Sequence, residues 1–261
     1  MKRAEKAIIK KDIRGITSNR RLFSALWIVP LALTVILPSI FVCAAHFAPD
    51  DPDVLALLEL LPGAANTESV ELAIAGIIFN YILPAFFLMI PIMTASVMAG
   101  SAFVGEKEKH TLETLLYCPL SVKEIFRAKV LASFLLSMLV SLVSFAAMLT
   151  VLELEAVFLM GSPLLPGGGW VIVLFLLSPA VSLIAVTLIV RNSARAQSVE
   201  ESQQSAVFLI IPVILLVVGQ FAGVMILNVW ILLGLSIVCA LLAWILLQRA
   251  VKRFTYEMLL K

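Results

Sequence analysis

Six stretches of the chain are apolar almost without interruption: Leu22–Ala45, Leu72–Ala99, Ile125–Val151, Trp170–Val190, Ala206–Leu227 and Val229–Leu247. A helix of about 20 apolar residues crosses a bilayer core, so each stretch predicts a transmembrane span. The last two are parted by Asn228 alone. Composition agrees with this pattern. Of 261 residues, 62% are hydrophobic and 14% charged, where a soluble domain carries about 25% charged residues. The expected fold is an all-α integral membrane protein. A cytosolic basic segment (1–21) leads into a six-helix transmembrane domain (22–248), and a tail (249–261) follows.

Charge sets the orientation. Lys and Arg fall into four clusters: eight in the N-terminal segment, five between 105 and 129, two at Arg191 and Arg195, and four from Arg249 onward, which together are all 19 in the chain. Six spans put every cluster on one side, and the positive-inside rule makes that side cytoplasmic, with both termini there. The opposite loops, 46–71 and 152–169, carry acids and no base. Those acids either attract a cationic substrate or simply complement the basic side.

The N-terminal segment is expected to be retained rather than cleaved as a signal, because a long polar stretch precedes a run of spanning length. Ile9, Ile13 and Ile16 recur at i, i+4 and i+7 among basic residues. That spacing predicts a helix lying on the cytosolic interface with its cations near anionic headgroups; a frayed basic tail is the other reading. Cys43, Cys118 and Cys239 are odd in number and widely spaced, so no disulfide and no metal site are expected.

The apolar cores are read as free of Asp, Glu, Lys, Arg and His. A charge at a helix centre costs about 2.5–3.5 kcal/mol on insertion scales, and proton relays and voltage sensors reveal themselves by carrying one. Those functions are disfavoured. Sodium binding is less so, since Asn80 and Gln220 could supply ligands. Pro30, Pro38, Pro84, Pro91, Pro179 and Pro212 can kink spans. Enzyme chemistry finds no support: His46 and His110 fall on opposite sides, there is no HExxH, and Gly100 and Gly105 are followed by Glu-Lys rather than the Lys-Ser/Thr of a phosphate-binding loop. Gly167–Gly169 reads as a flexible external turn.

Between the second and third spans lies a charged island within a cytosolic loop, 100–124. Its opening, Glu106-Lys107-Glu108-Lys109, alternates in sign. Thr111 can cap a short helix, Thr111–Cys118, with Glu113 in its first turn. Leu112, Leu115 and Leu116 share one face, and Pro119 stops the helix. Ser121 and Glu124 then form a capping box that opens the third span. The leucine face either docks on a partner or rests on headgroups.

The stretch Phe103–Lys129 resembles the first cytosolic loop of type-2 ATP-binding-cassette (ABC) permeases. Glu106, Lys107, Glu108, Thr111, Leu112, Glu113, Leu115, Leu116, Pro119, Ser121, Glu124 and Ile125 match the family's E-(K/R)-E-x-x-T-L-E-x-L-L-x-x-P-x-S-x-x-E-I pattern. The resemblance implies that Thr111–Cys118 is a coupling helix seated in a groove of an ATPase subunit. A second stretch running from Arg195 to Ala206, with Glu200, Gln203 and Gln204, is similar to the A-x-x-x-x-E-(A/S)-Q-Q stretch of the sodium- and drug-export-like permeases in the same family. The N-terminal helix then corresponds to the family's interfacial elbow helix. One departure stands out. Where many sodium-export-like members carry a large external domain, this chain has about 25 residues, 46–71, expected to hold one short helix capped by Asp51 and stopped at Pro62-Gly63.

The resemblance therefore implies the permease subunit of an ATP-driven exporter, multi-pass in the cell (inner or plasma) membrane of a bacterium. The chain itself would bind no cofactor and catalyse nothing. ATP and Mg²⁺ would be held by a separate ABC ATPase subunit. A second permease copy, identical or related, and membrane lipid are the other expected partners, and no nucleic acid is expected. A stand-alone channel or carrier, or a non-transporting assembly or sensor subunit, are the alternatives.

Overall fold

The computed structural model describes residues 3–47, 70–108, 120–193, 196, 198–204, 206–221 and 228–253. Among them the regular structure is entirely helical. An N-terminal helix, Arg3–Ser18, is followed by six helices long and apolar enough to cross a membrane: Leu22–Ala44, Glu71–Glu108, Val122–Met160, Gly169–Ser193, Val199–Phe221 and Val229–Lys252. The second and third run well past their apolar stretches, to Glu108 and Met160. The short helix expected between Asp51 and Pro62-Gly63 lies outside the described residues.

Local chemistry sets the helix starts. Asn19 separates the N-terminal helix from the first span, and its Oδ1 accepts from the Leu22 amide at 3.4 Å. The capping box of the third span is formed in full. The Glu124 amide donates to Ser121 Oγ at 3.3 Å, and the Ser121 amide donates to Glu124 Oε2 at 2.8 Å. At its far end that span closes on Gly161, whose φ of 70° is a left-handed value that suits glycine.

Spans two and four form the middle of the bundle. Over their most apolar windows 72% and 67% of residues are buried, against 17% for the sixth span. Hydroxyls fasten spans two, three and four together. Thr94 Oγ1 and Ser137 Oγ lie 3.1 Å apart, Ser182 Oγ donates to Ser137 Oγ at 3.2 Å, and Ser137 Oγ donates to the Pro91 carbonyl. Lipid gives helices no hydrophobic drive toward one another, so close packing of small residues and hydrogen bonds between hydroxyls do that work.

The half of the bundle farther from the N-terminal helix is organised around Pro84. Just before it the second span widens into a π-helical turn, Ile78–Ile82, in which the Leu83 amide donates to the Ile78 carbonyl. The next bond of that register would join residue 84 to the Phe79 carbonyl, and proline has no N–H to give. Trp170 supplies the missing donor: its Nε1 donates to the Phe79 carbonyl at 3.2 Å. The buried indole also packs against Phe79, Phe87 and Phe145.

Asn80 and Gln220, the amides considered as cation ligands, both bond to backbone nearby, and Gln220 Oε1 is buried without a hydrogen-bond partner among the described residues. Asn80 donates to the Gly76 carbonyl and accepts from the Gly167 amide at 2.6 Å. Gln220 Nε2 donates to the Tyr81 carbonyl at 2.6 Å. The Gly167–Gly169 segment is thus pinned to the second span, not the free turn its glycines suggest. At the same end His46 Nδ1 lies 2.8 Å from Glu71 Oε2, joining the first span to the second.

Candidate functional site

The opposite end of the bundle gathers three of the basic segments. Spacing points to Ile9, Ile13 and Ile16 as the packing stripe of the N-terminal helix. The helix instead buries Ile8, Asp12 and Ile16, a strict i, i+4, i+8 row, with Ile9 and Ile13 half-buried. Ile8 packs on Ile125 and Ala128 at the start of the third span. Ile16 sits with Leu26, Met98, Leu136 and Val140. The stripe moves because the helix is packed on the bundle, and the bundle presents a cation opposite position 12.

That cation is Lys129, whose side chain is 3% exposed. The reading of charge-free spans is corrected here: Lys129 falls inside the predicted third span and is buried two turns from the start of that helix at Val122. Its Nζ donates to the Ala102 carbonyl at 2.5 Å and to Asp12 Oδ1 at 3.4 Å. It also lies 3.8 Å from Glu106 Oε1 and over the Phe103 ring. Glu106 in turn pairs with Lys11 at 2.5 Å. A lone buried charge would be costly, but two acids and two bases compensate one another. Burial raises the Asp12 carboxyl above its ordinary value of 3.8; Lys129 opposes that rise, Glu106 adds to it and Lys11 opposes it. Asp12 Oδ2 is buried without a hydrogen-bond partner among the described residues.

Of the expected coupling residues, Glu106 is buried in this cluster, Lys107 is half-buried and Glu108 is exposed at the helix end. Thr111, Leu112, Glu113, Leu115, Leu116 and Pro119 lie outside the described residues, as does the Thr111–Cys118 helix they would form.

Glu108 brings together the two segments that carry the family-like signals. Its Oε2 accepts from the Val199 amide at 3.4 Å, at the start of the short helix Val199–Gln204. Beside it, Val199 packs with Val104 and Ala196. Ser202, fully buried, comes so close to Gly100 that a Cβ there would stand 2.7 Å from its Oγ. Glu200 and Gln204 are exposed and Gln203 is half-buried, so the family-like polar residues point away from the contact that Val199 and Ser202 make.

Sequence reasoning missed Asp12, Lys129, Val199, Ser202 and Gly100. Two signals were present. Asp12 is the one acid between Lys6 and Arg21, and Lys129 intrudes on the apolar run of the third span.

Comparison with known proteins adds one finding. The family model described as ABC-2 type transporter matches residues 3–230, which takes in the N-terminal helix, both cytosolic segments and five spans; the sixth lies almost wholly beyond it. No curated protein matches the chain.

Proposed function

The chain belongs to the ABC-2 type transporter family, the membrane subunits of ABC transporters, and from that premise we propose that it is the permease of an ATP-driven exporter. Family membership makes it a multi-pass membrane protein and the permease, not the nucleotide-binding subunit. Our reading adds a separate ABC ATPase that binds ATP and Mg²⁺ and drives this chain through loop 109–119. It also adds a second permease copy, identical or related, to complete the pathway, and location in the cell membrane with both termini cytoplasmic. Exposed Lys6, Lys10 and Arg14 on the N-terminal helix suit anionic headgroups at that surface.

The observation that carries this reading is the convergence of the two cytosolic signals through Glu108 and Val199. A load applied at one would be felt at the other and at the second span between them. The sodium- and drug-export-like subgroup stays part of the proposal, as do Leu112, Leu115 and Leu116 as the docking face.

The test is a pull-down of the tagged chain from native membranes, wild type beside Leu115→Glu, read by mass spectrometry. A P-loop ATPase that accompanies the wild type and is lost from the variant supports coupling. Equal recovery with both sinks the docking role of the leucine face. If none accompanies either, and the purified chain conducts solute without ATP, the channel or carrier reading replaces this one.

A further inference from the structure

The N-terminal helix has two possible tasks: to anchor the chain at the membrane surface, or to take part in movement. Its buried row argues for the second. Packing alone would be served by an apolar residue between Ile8 and Ile16, yet the position holds Asp12, facing Lys129 at 3.4 Å. Apolar contacts are non-directional and can slide. A buried ion pair is held to one geometry, because leaving either charge alone in a low dielectric is strongly unfavourable.

The charges are also distributed in a telling way. The N-terminal helix gives Lys11 and Asp12, the end of the second span gives Glu106, and the start of the third gives Lys129. Lys129 further reaches the backbone of the second span at Ala102. Each of the three elements gives a charge that pairs with one from another. Glu106 stands just before residues 109–119 and Lys129 nine residues after Leu120, where the chain is described again. The cluster therefore clasps both flanks of that loop.

We propose that Asp12, Glu106 and Lys129, with Lys11, are positioning residues that lock the N-terminal helix and the cytosolic ends of the second and third spans into one rigid body. The helix is then a lever that travels with those spans when the loop between them is pushed. This rests on the transporter reading for the source of the push, and on the cluster alone for the rigidity.

The two parts are tested separately on the full chain in lipid nanodiscs. The first measurement is amide hydrogen exchange of residues 8–16 without nucleotide. Wild type is expected to be protected, with exchange about tenfold faster in Lys129→Met, which takes from Asp12 its ion-pair partner. Because that variant risks misfolding, Asp12→Asn with Lys129→Gln removes both charges while keeping shape and hydrogen-bonding groups. It should fold, keep its spans protected and still loosen the helix. Equal protection of 8–16 in wild type and in the double variant overturns the lock.

The second measurement uses spin labels on the chain purified with whatever ATPase accompanies it. Pairs are placed at exposed Lys10 and Lys252, and at exposed Lys123 and Lys252. On trapping with ATP, Mg²⁺ and vanadate, both distances should shift together in wild type. In the double variant only the Lys123 pair should shift. A Lys10 pair that ignores the trap in wild type while the Lys123 pair shifts, or follows it equally in the variant, overturns the lever. If neither pair in wild type moves, the ATP-driven reading fails, and the lock is judged by exchange alone.

Discussion

Pro84 shows how a residue's missing atom organises its surroundings. The π-turn leaves the Phe79 carbonyl for a donor that proline lacks, and Trp170 reaches over from the fourth span to supply one. Trp170→Phe keeps most of the ring packing and abandons that carbonyl, so it should cost about 1–3 kcal/mol. Trp170→Ala also empties the aromatic cluster and should cost about 3–5 kcal/mol. Thermal unfolding in detergent distinguishes the two, and a Trp170→Phe variant as stable as wild type would mean that the hydrogen bond carries no weight. Gly100 poses the opposite case, a position where an added atom matters. Gly100→Ala should displace Ser202 and loosen the short helix Val199–Gln204, and Ser202→Ala in the same chain should restore it. Protease sensitivity of the 191–206 connection reads this, and no recovery in the double variant would place the fault elsewhere.

At the scale of elements, the N-terminal helix is held by the pairing of Asp12 with Lys129, with Lys11 and Glu106 beside it. Burial raises the Asp12 carboxyl above its ordinary 3.8, and Lys129 opposes that rise. The third span rests on a different local device. Ser121→Ala removes half of its capping box and should cost about 1 kcal/mol, seen as fraying confined to its first turn.

At the scale of the molecule, burial is uneven. The first, fifth and sixth spans expose large apolar side chains, among them Ile28, Ile36, Phe208, Leu215, Trp230 and Trp244. Lipid covers such faces, and so would the second permease copy that transport requires under our reading. Native mass spectrometry from nanodiscs is expected to show a dimer of this chain or a pair with a related permease. A single permease bound to ATPase would refute the two-copy pathway. Orientation is tested by cysteines at exposed Lys6 and Lys252, with Cys43, Cys118 and Cys239 replaced. An impermeant maleimide should label both only after the cell is opened.

The sequence alone determined the number of spans, the clustering of cations and the capping box at Ser121, because each rests on local rules: run length, side of the membrane, and a contact three residues away. It also carried the motif that led to the family. Tertiary structure decided what those rules cannot reach. Whether Asp12 or an isoleucine faces inward depends on what lies opposite, and Lys129 comes from a helix more than a hundred residues later in the chain. Trp170 finds Phe79, and Glu108 finds Val199, across similar separations. Charges and carbonyls buried at the end of a helix bundle must be answered by some neighbour, but which neighbour answers is fixed only when the helices pack.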